Sequence, residues 1–359
     1  MSRTRLVPSH VVVPPDGLGW PALSRRGWAR SVLGGFAAAA VGCATTPAEE
    51  PAPVAPASDR RQYRYLHLDV FTDRTLAGNQ LAVFLDPAGL ESDEMQAMAR
   101  EINFSEITFV EPAPTDESDV RVRIFGRSRE MQFAGHPVIG TAFALAEAGR
   151  IEPGRGRYVF GLGLGPTPLE LEWEQGKLAF AWMDQLNPTY GAILEDTAAV
   201  ESALGLDAGV ILADHPIQEV SCGSTFLFVP LATRHAVDAI AIDAAAMRRA
   251  FDEADMQPRG LFVFSPEPGD DGAHAYSRML GLGGGEDPGT GSASGPLGCY
   301  LVHHGLVPPE QAGNIVSHQG VKMQRPCSIN IRIATDGEAI TRVQVGGKSV
   351  VVGEATIRL

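Results

Sequence analysis

The sequence predicts a strand-rich α+β protein built as two matching halves. Residues 135–149 (GHPVIGTAFALAEAG) and 291–305 (GSASGPLGCYLVHHG) are helix-like runs opened and closed by glycine, and both glycine pairs are 156 positions apart. The match extends upstream in the same order. Glu111-Pro112 corresponds to Glu267-Pro268, and the run from Arg123 to Gly126 resembles Arg278 to Gly281 with a slip of one residue. The 40 Gly and 26 Pro demand many turns, which suits short strands joined by tight connections. A solenoid repeat spans about 20–50 residues, so the longer period indicates domain duplication. Helix N-termini attract anions, so a cleft between the halves could hold a carboxylate from both sides.

The 359 residues suggest about two domains, and 44% hydrophobic with 20% charged residues fits a protein with a real core. The first 43 residues read as an address. Ser24-Arg25-Arg26-Gly27-Trp28 precedes an uncharged run from Ser31 to Gly42, which ends in Ala40-Val41-Gly42 before Cys43. This is the pattern of a bacterial export signal. The paired arginines resemble a twin-arginine signal, and Cys43 after small residues resembles a lipidation site. The expectation is a periplasmic or cell-envelope lipoprotein that meets the membrane only through its lipid. The alternative is a mis-assigned start codon ahead of a cytoplasmic enzyme. Residues 44–62, rich in Pro, Ala and Glu, read as a disordered tether. Residues 63–190 then form the N-terminal half, with its last strand a candidate to cross over, and residues 191–359 the C-terminal half.

In the first half, Tyr65 to Phe71 is β-rich and reads as a strand, Thr72 to Asn79 as a loop, and Gln80 to Leu85 as a second strand. Ser92 is placed to cap a helix whose Met95, Met98, Ala99 and Ile102 share one face, ending at Asn103. Phe104 to Val110 follows as a strand in which Glu106 is the only charge. Packed inward, Glu106 is a partly desolvated carboxylate with a pKa raised towards neutrality, suited to acid/base work. Pointed outward, it is an ordinary surface residue, and the pattern leaves both open. His136 is expected at the N-cap of the first repeat helix, with Pro137 at the first helical position. There it either shares an anion and relays protons or simply caps the helix. The other histidines of the chain after the tether have no comparable context and read as structural.

In the second half, Asp287 stands in a Gly-rich loop ahead of the second repeat helix, and Ser292 takes the place of His136. Gly289, Gly291 and Gly295 do not make a dinucleotide site, because no strand runs directly into the loop and no ribose-binding acid follows in a βαβ unit. Besides Cys43 there are Cys222, Cys299 and Cys327, an odd set without Cys-x-x-Cys, so neither a metal nor a redox motif is read and no cofactor is expected. Cys299 reads as a small core residue. A net charge of −14 without a basic stripe argues against nucleic acid. No apolar run reaches the roughly 18 residues of a spanning helix.

From about residue 63 to 359 the chain resembles the phenazine-biosynthesis PhzF-like family of the diaminopimelate-epimerase-like superfamily. The motifs are DVFTDRTLAGNQLAVF, INFSEITFV, FAGHPVIGTA, EDPGTGSASGPLGCYL, QGVKMQRP and VGGKSVVV. The resemblance implies two pseudo-symmetric α+β halves, each a mixed sheet or barrel rolled around a central helix, and a homodimer. It implies a cofactor-independent isomerase of a small amino or hydroxy carboxylic acid. Glu106, His136 and Asp287 are the implied catalytic residues, and Gly135, Gly291 and Ser292 the implied substrate-binding residues. The superfamily's epimerases carry one cysteine at the start of each central helix. Gly135 and Gly291 hold those places here, so a two-thiol racemisation lacks its groups. Phe262 stands 156 positions after Glu106, leaving one base for the pair of halves. Gln324 departs from the family pattern, which usually has Gly there. The alternatives are an epimerase acting on a different carboxylic acid and a non-catalytic periplasmic ligand-binding lipoprotein.

Overall fold

A computed structural model describes residues 61–359 apart from positions 259 and 284. The export segment, Cys43 and the tether up to residue 60 lie outside the described residues.

The first half runs β1 (Gln62–Val70), β2 (Asn79–Phe84), α1 (Ser92–Ile102), β3 (Glu106–Pro112), β4 (Val120–Gly126), β5 (Glu130–Met131), α2 (Gly135–Glu147), β6 (Arg157–Leu162), β7 (Gly165–Glu174), β8 (Lys177–Gln185) and β9 (Thr189–Ile193). The second runs α3 (Thr197–Leu204), β10 (Gln218–Ser221), β11 (Thr225–Pro230), α4 (Arg234–Ala239), α5 (Ala244–Glu253), β12 (Leu261–Ser265), β13 (Ala275–Leu280), β14 (Glu286–Asp287), α6 (Gly291–His303), β15 (Ile315–Gln319), β16 (Cys327–Asp336), β17 (Ala339–Gly347) and β18 (Ser349–Arg358).

The duplication is visible in the pairing. β2 to β3 is parallel, β3 to β4 antiparallel and β4 to β6 parallel. The same sequence recurs as β11 to β12, β12 to β13 and β13 to β15. The halves also exchange their last strands. β9 pairs with β10, and β18 pairs with β1, while β8 and β17 join edge to edge. A division at 190/191 therefore cuts through β9.

The central helices α2 and α6 are buried from their first glycine nearly to their ends. Both are predominantly apolar with no single apolar stripe, which suits a helix wrapped by sheet rather than laid on a surface. α2 packs in one core with Leu68, Val70 and Leu81, and α6 in another with Phe228, Phe264 and Ile331. Gly149 and Gly305 follow the two helices with φ of 68° and 71°, the left-handed stop that glycine adopts without strain. Cys299 is fully buried in the α6 core.

Several boundaries differ from expectation. Gln62 already belongs to β1, so the tether ends before it, with Arg61 anchored by an ion pair to Glu94. Glu91, not Ser92, is the N-cap of α1: its backbone N–H donates to Glu94 Oε2 at 3.0 Å, and Ser92 Oγ instead accepts from Arg123 at 2.9 Å. β3 starts at Glu106 rather than Phe104, because its partner β4 ends at Gly126, directly opposite Glu106. Ala134 is the N-cap of α2, which makes His136 and Pro137 the second and third helical residues.

Candidate active site

The two central helices meet at their N-termini. A Cβ added to Gly135 would lie 2.4 Å from Gly291 Cα, and one added to Gly291 would lie 2.9 Å from Gly135 Cα. Backbone touches backbone here, so neither position has room for a side chain. Close approach of the two backbones is by itself reason enough for glycine at both positions. No cysteine lines the adjoining cavity. Cys327 Sγ sits behind Gly289, and burial pushes its thiol well above the ordinary range.

A cavity of about 500 Å³ opens at this junction, and every site residue expected within the described chain lines it: Glu106, Gly135, His136, Asp287, Gly291 and Ser292. Cys43 lies outside the described residues. The first amides of α2 and α6 have no preceding helical carbonyl to bond, so both helices offer N–H donors to the cavity end they share.

Glu106 begins β3 at the cavity mouth, with its side chain 14% exposed. His136 is fully enclosed, and its Nδ1 lies 3.7 Å from Glu106 Oε2. Burial pushes His136 down to about 4, against the opposing pull of Asp287 and the Gln80 carbonyl. Asp287 is fixed on both oxygens. Asn79 Nδ2 donates to Oδ1 at 2.9 Å, and the Thr290 hydroxyl donates to Oδ2. Gln319 completes this arm: its Nε2 donates to the Asp287 carbonyl at 2.7 Å and its Oε1 accepts from the Thr290 N–H at 2.9 Å.

Asn79, Ser105, Thr290 and Gln319 were missed by sequence reasoning. Asn79 is 1% exposed and ties the halves together, donating to Asp287 and Gly289 of the second while lying 3.1 Å from His136 of the first. Its only sequence signal is a polar residue at the start of a buried strand. Arg325 holds the segment before it from the second half, donating to the Ala77 and Gly78 carbonyls at 2.6 and 2.8 Å and pairing with buried Asp69.

The halves differ at Glu106. The β12–β13 ladder pairs Leu261 with Leu280, and one further step sets Gly260 opposite Gly281. Glu106 stands opposite Gly126 in the same way. Gly260, not Phe262, is therefore the counterpart of Glu106; the fixed offset fails because the connections differ in length. Likewise Phe125 pairs with Glu130 and Leu280 with Glu286, so Met131 is the counterpart of Asp287. The pairs Arg123–Glu130 and Arg278–Glu286 recur in both halves.

A family model described as phenazine biosynthesis-like protein matches residues 68–355. The trans-2,3-dihydro-3-hydroxyanthranilate isomerase of Pseudomonas aeruginosa is 35% identical over 294 residues, covering 81% of this chain and 98% of its own. The structure of a PhzF-family phenazine biosynthesis protein of Bacillus anthracis matches with a TM-score of 0.73 at 23% identity, covering 83% of this chain and 100% of its own. A hydroxyproline epimerase of Agrobacterium vitis matches with a TM-score of 0.58 at 13% identity, covering 83% and 93%. The last two speak for the fold alone, which is the epimerase-like pair of α+β halves.

Proposed function

The chain belongs to the phenazine biosynthesis-like protein family and is an isomerase, and from that premise we propose that it moves a proton between two carbons of a small amino or hydroxy carboxylic acid with Glu106 as its single base. The observation that carries this is the asymmetry of the junction: one half brings a carboxylate to the cavity mouth where the other has Gly260. Two-base epimerisation needs a base on one side of a carbon to take its proton and an acid on the other side to supply one, whereas a hydrogen shift needs one base that takes and returns the proton.

The substrate carboxylate is held by the amides at the starts of α2 and α6, with Ser292 beside them. Those donors withdraw charge as the neighbouring carbon loses its proton, which is where electrostatic stabilisation is most effective. Glu106 takes that proton, and the electron pair spreads through the conjugated acid. Glu106 then returns the proton to a second carbon. Asp287, held as an acceptor by Asn79 and Thr290, receives the substrate amine or hydroxyl. The reaction so described requires no cofactor. The substrate class follows the relative that acts on a dihydro-hydroxyanthranilate, a ring acid carrying amine and hydroxyl.

A panel of cyclic and acyclic amino and hydroxy acids incubated with enzyme in heavy water tests this. Mass spectrometry should find deuterium gained at a new carbon with the double bond moved. Exchange confined to the α-carbon with loss of stereochemistry indicates the epimerase alternative, and no exchange in any acid indicates the ligand-binding one. For the N-terminal segment we propose twin-arginine export and lipidation of Cys43, with the catalytic body outside the cytoplasm and a homodimer as its assembly. Labelling with a tagged fatty acid, lost in Cys43→Ala, checks the anchor, and sedimentation checks the dimer.

A further inference from the structure

The proposed reaction uses neither Cys222 nor Cys299, yet the fold brings them together across 77 positions of chain. Their Sγ atoms are in contact at 3.8 Å. Both side chains are buried, at 1% and 0% exposure, in the core that packs α6 against Val220 and Phe228. Cys327 provides the contrast. Among the described residues its Sγ has the Val70 and Arg325 carbonyl oxygens as partners, at 3.9 and 3.7 Å, and no second sulfur.

The two thiols sit on supports of different stiffness. Cys299 lies within α6, which is buried along most of its length. Cys222 opens the loop 222–224, because Ser221 of β10 still pairs with Thr225 of β11. Gly223 beside it is exposed at φ 114°, so the loop runs along the surface while the Cys222 side chain is buried. A disulfide needs an Sγ–Sγ distance of about 2.05 Å, so from 3.8 Å the sulfurs must close by about 1.8 Å. A short turn containing glycine can supply that movement where a buried helix cannot.

We infer that Cys222 and Cys299 are a disulfide-forming pair: under oxidising conditions they close one intramolecular Sγ–Sγ bond that ties the β10–β11 turn to α6, while Cys327 stays a thiol. The oxidant is a disulfide, RSSR, either small or carried by a thiol oxidoreductase. The Cys222 thiolate attacks one sulfur of RSSR and expels RS⁻, leaving a mixed disulfide. Cys299 then gives up its proton, attacks Cys222 Sγ and expels the second RS⁻. Two protein thiols and one RSSR become one protein disulfide and two RSH, so the two electrons lost by the cysteines are those gained by RSSR. Cys222 reacts first because a surface loop opens locally at lower cost than a central helix leaves its core. The hydrogen bond with Cys222 and burial push the Cys299 thiol well above its ordinary range, which keeps it protonated until its neighbour has reacted. Closing a 77-residue separation restricts the unfolded chain, so the bond stabilises the fold. Such bonds persist in oxidising compartments, the setting proposed above for the catalytic body, but the pair is defined by its contact and is testable on the purified protein.

The full chain is reduced and then exposed to oxidised glutathione in two arms, one folded throughout and one refolding from urea. Remaining thiols are alkylated under denaturing conditions, and the digests are read by mass spectrometry. The expected product is a peptide pair joining Cys222 to Cys299, lighter by two hydrogens than its separate thiol peptides and split by reductant, with Cys327 alkylated. Alkylation of both Cys222 and Cys299 in both arms overturns the inference, as does pairing of either with Cys43 or Cys327, or glutathione left on Cys222. The thermal midpoint of the oxidised chain should exceed that of the reduced chain by roughly 5–15 °C, and this difference should vanish in Cys222→Ala. Coincident melts of an oxidised and a reduced wild type overturn the stabilising role. If Cys222→Ala does not fold, the wild-type melts and the peptide map still decide.

Discussion

The two halves of the described chain solve the same backbone problem and then diverge. Each rolls its strands around a buried helix that starts and stops on glycine, and each braces the hairpin before that helix with an arginine–glutamate pair, Arg123–Glu130 in one and Arg278–Glu286 in the other. The chemistry is divided between them. The first half contributes Asn79, Glu106 and His136; at the matching places the second has Gly260 for the base and Ser292 for the histidine. The second half contributes Asp287 and its anchors Thr290 and Gln319, where the first has Met131 for the aspartate. Symmetry thus builds the junction of amides, and asymmetry brings to it one half's Glu106, the base in the proposed reaction, and the other half's fixed Asp287. The exchange of β9 and β18 means that neither half is complete without the other.

The sharpest way to break this contrast is to remove the base. Glu106→Gln should lower turnover by at least about 10²–10⁴-fold, the range for a lost general base, while titration calorimetry still detects substrate. Turnover near the wild-type rate would mean that the division of labour is misassigned. Next comes the shared junction. Gly135→Ala drives a methyl group towards Gly291 Cα at 2.4 Å. It should cost about 3 kcal/mol, the upper end for overpacking that forces backbone shifts, read as a lowered denaturation midpoint in urea. A neutral effect would show that the helix starts are not in contact.

Titration offers a subtler comparison, because each half holds a histidine that burial pushes well down, His136 fully buried and His304 half-buried. His136 and His304 are both pushed down to about 4 by burial, His304 with help from His303 and His215. A histidine whose folded pKa lies below its unfolded value of about 6.5 binds protons more readily when unfolded. Stability therefore rises with pH between about 4 and 6.5, is fully present above that window, and is lost as pH falls through it. For fully enclosed His136 the loss reaches about 3 kcal/mol at the acid end. Denaturation midpoints of His136→Gln should accordingly fall less steeply on acidification than those of the wild type, with His304 and His67, also lowered by burial, contributing to the remaining slope. Parallel pH curves would place the acid sensitivity elsewhere.

The smallest effect concerns the second-half segment 320–326, which reaches across to hold the first half through Arg325. Gln324 is exposed at φ 59°, a left-handed conformation in which glycine is unstrained and a side chain is not. Gln324→Gly should raise stability by about 1 kcal/mol and leave kcat unchanged, as thermal melts and steady-state rates would register. A destabilised variant would mean that the glutamine makes a contact that outweighs its backbone.

Much of this site was legible before any fold was drawn. Gly135 and Gly291 announced two helix starts because a glycine before an apolar run is a local signal, and local signals survive in sequence. Glu106 stood out as a lone charge in an apolar strand, and Asp287 as an acid ahead of a helix start. Asn79, Thr290 and Gln319 could not be read in this way. Each is an ordinary polar residue whose importance depends on partners distant in sequence, Gln319 being 29 positions from Thr290 and Gly289 210 from Asn79. The counterpart of Glu106 was misplaced by two residues for the same reason: equal offsets in sequence need equal loops, whereas the true correspondence is set by hydrogen-bond register.

By itself, then, the sequence determined the duplication, the two glycine-started helices, the lone carboxylate of β3 and the family to which these motifs point. Only the tertiary structure decided that the helix starts touch backbone to backbone, that Asn79 joins His136 to Asp287, and that Glu106 faces Gly260 across the pseudo-symmetry. The physical reason is range. Helix starts and strand patterns are written in neighbouring residues, but buried polar groups take their meaning from the partners that satisfy them, and the fold alone brings those partners within hydrogen-bond distance.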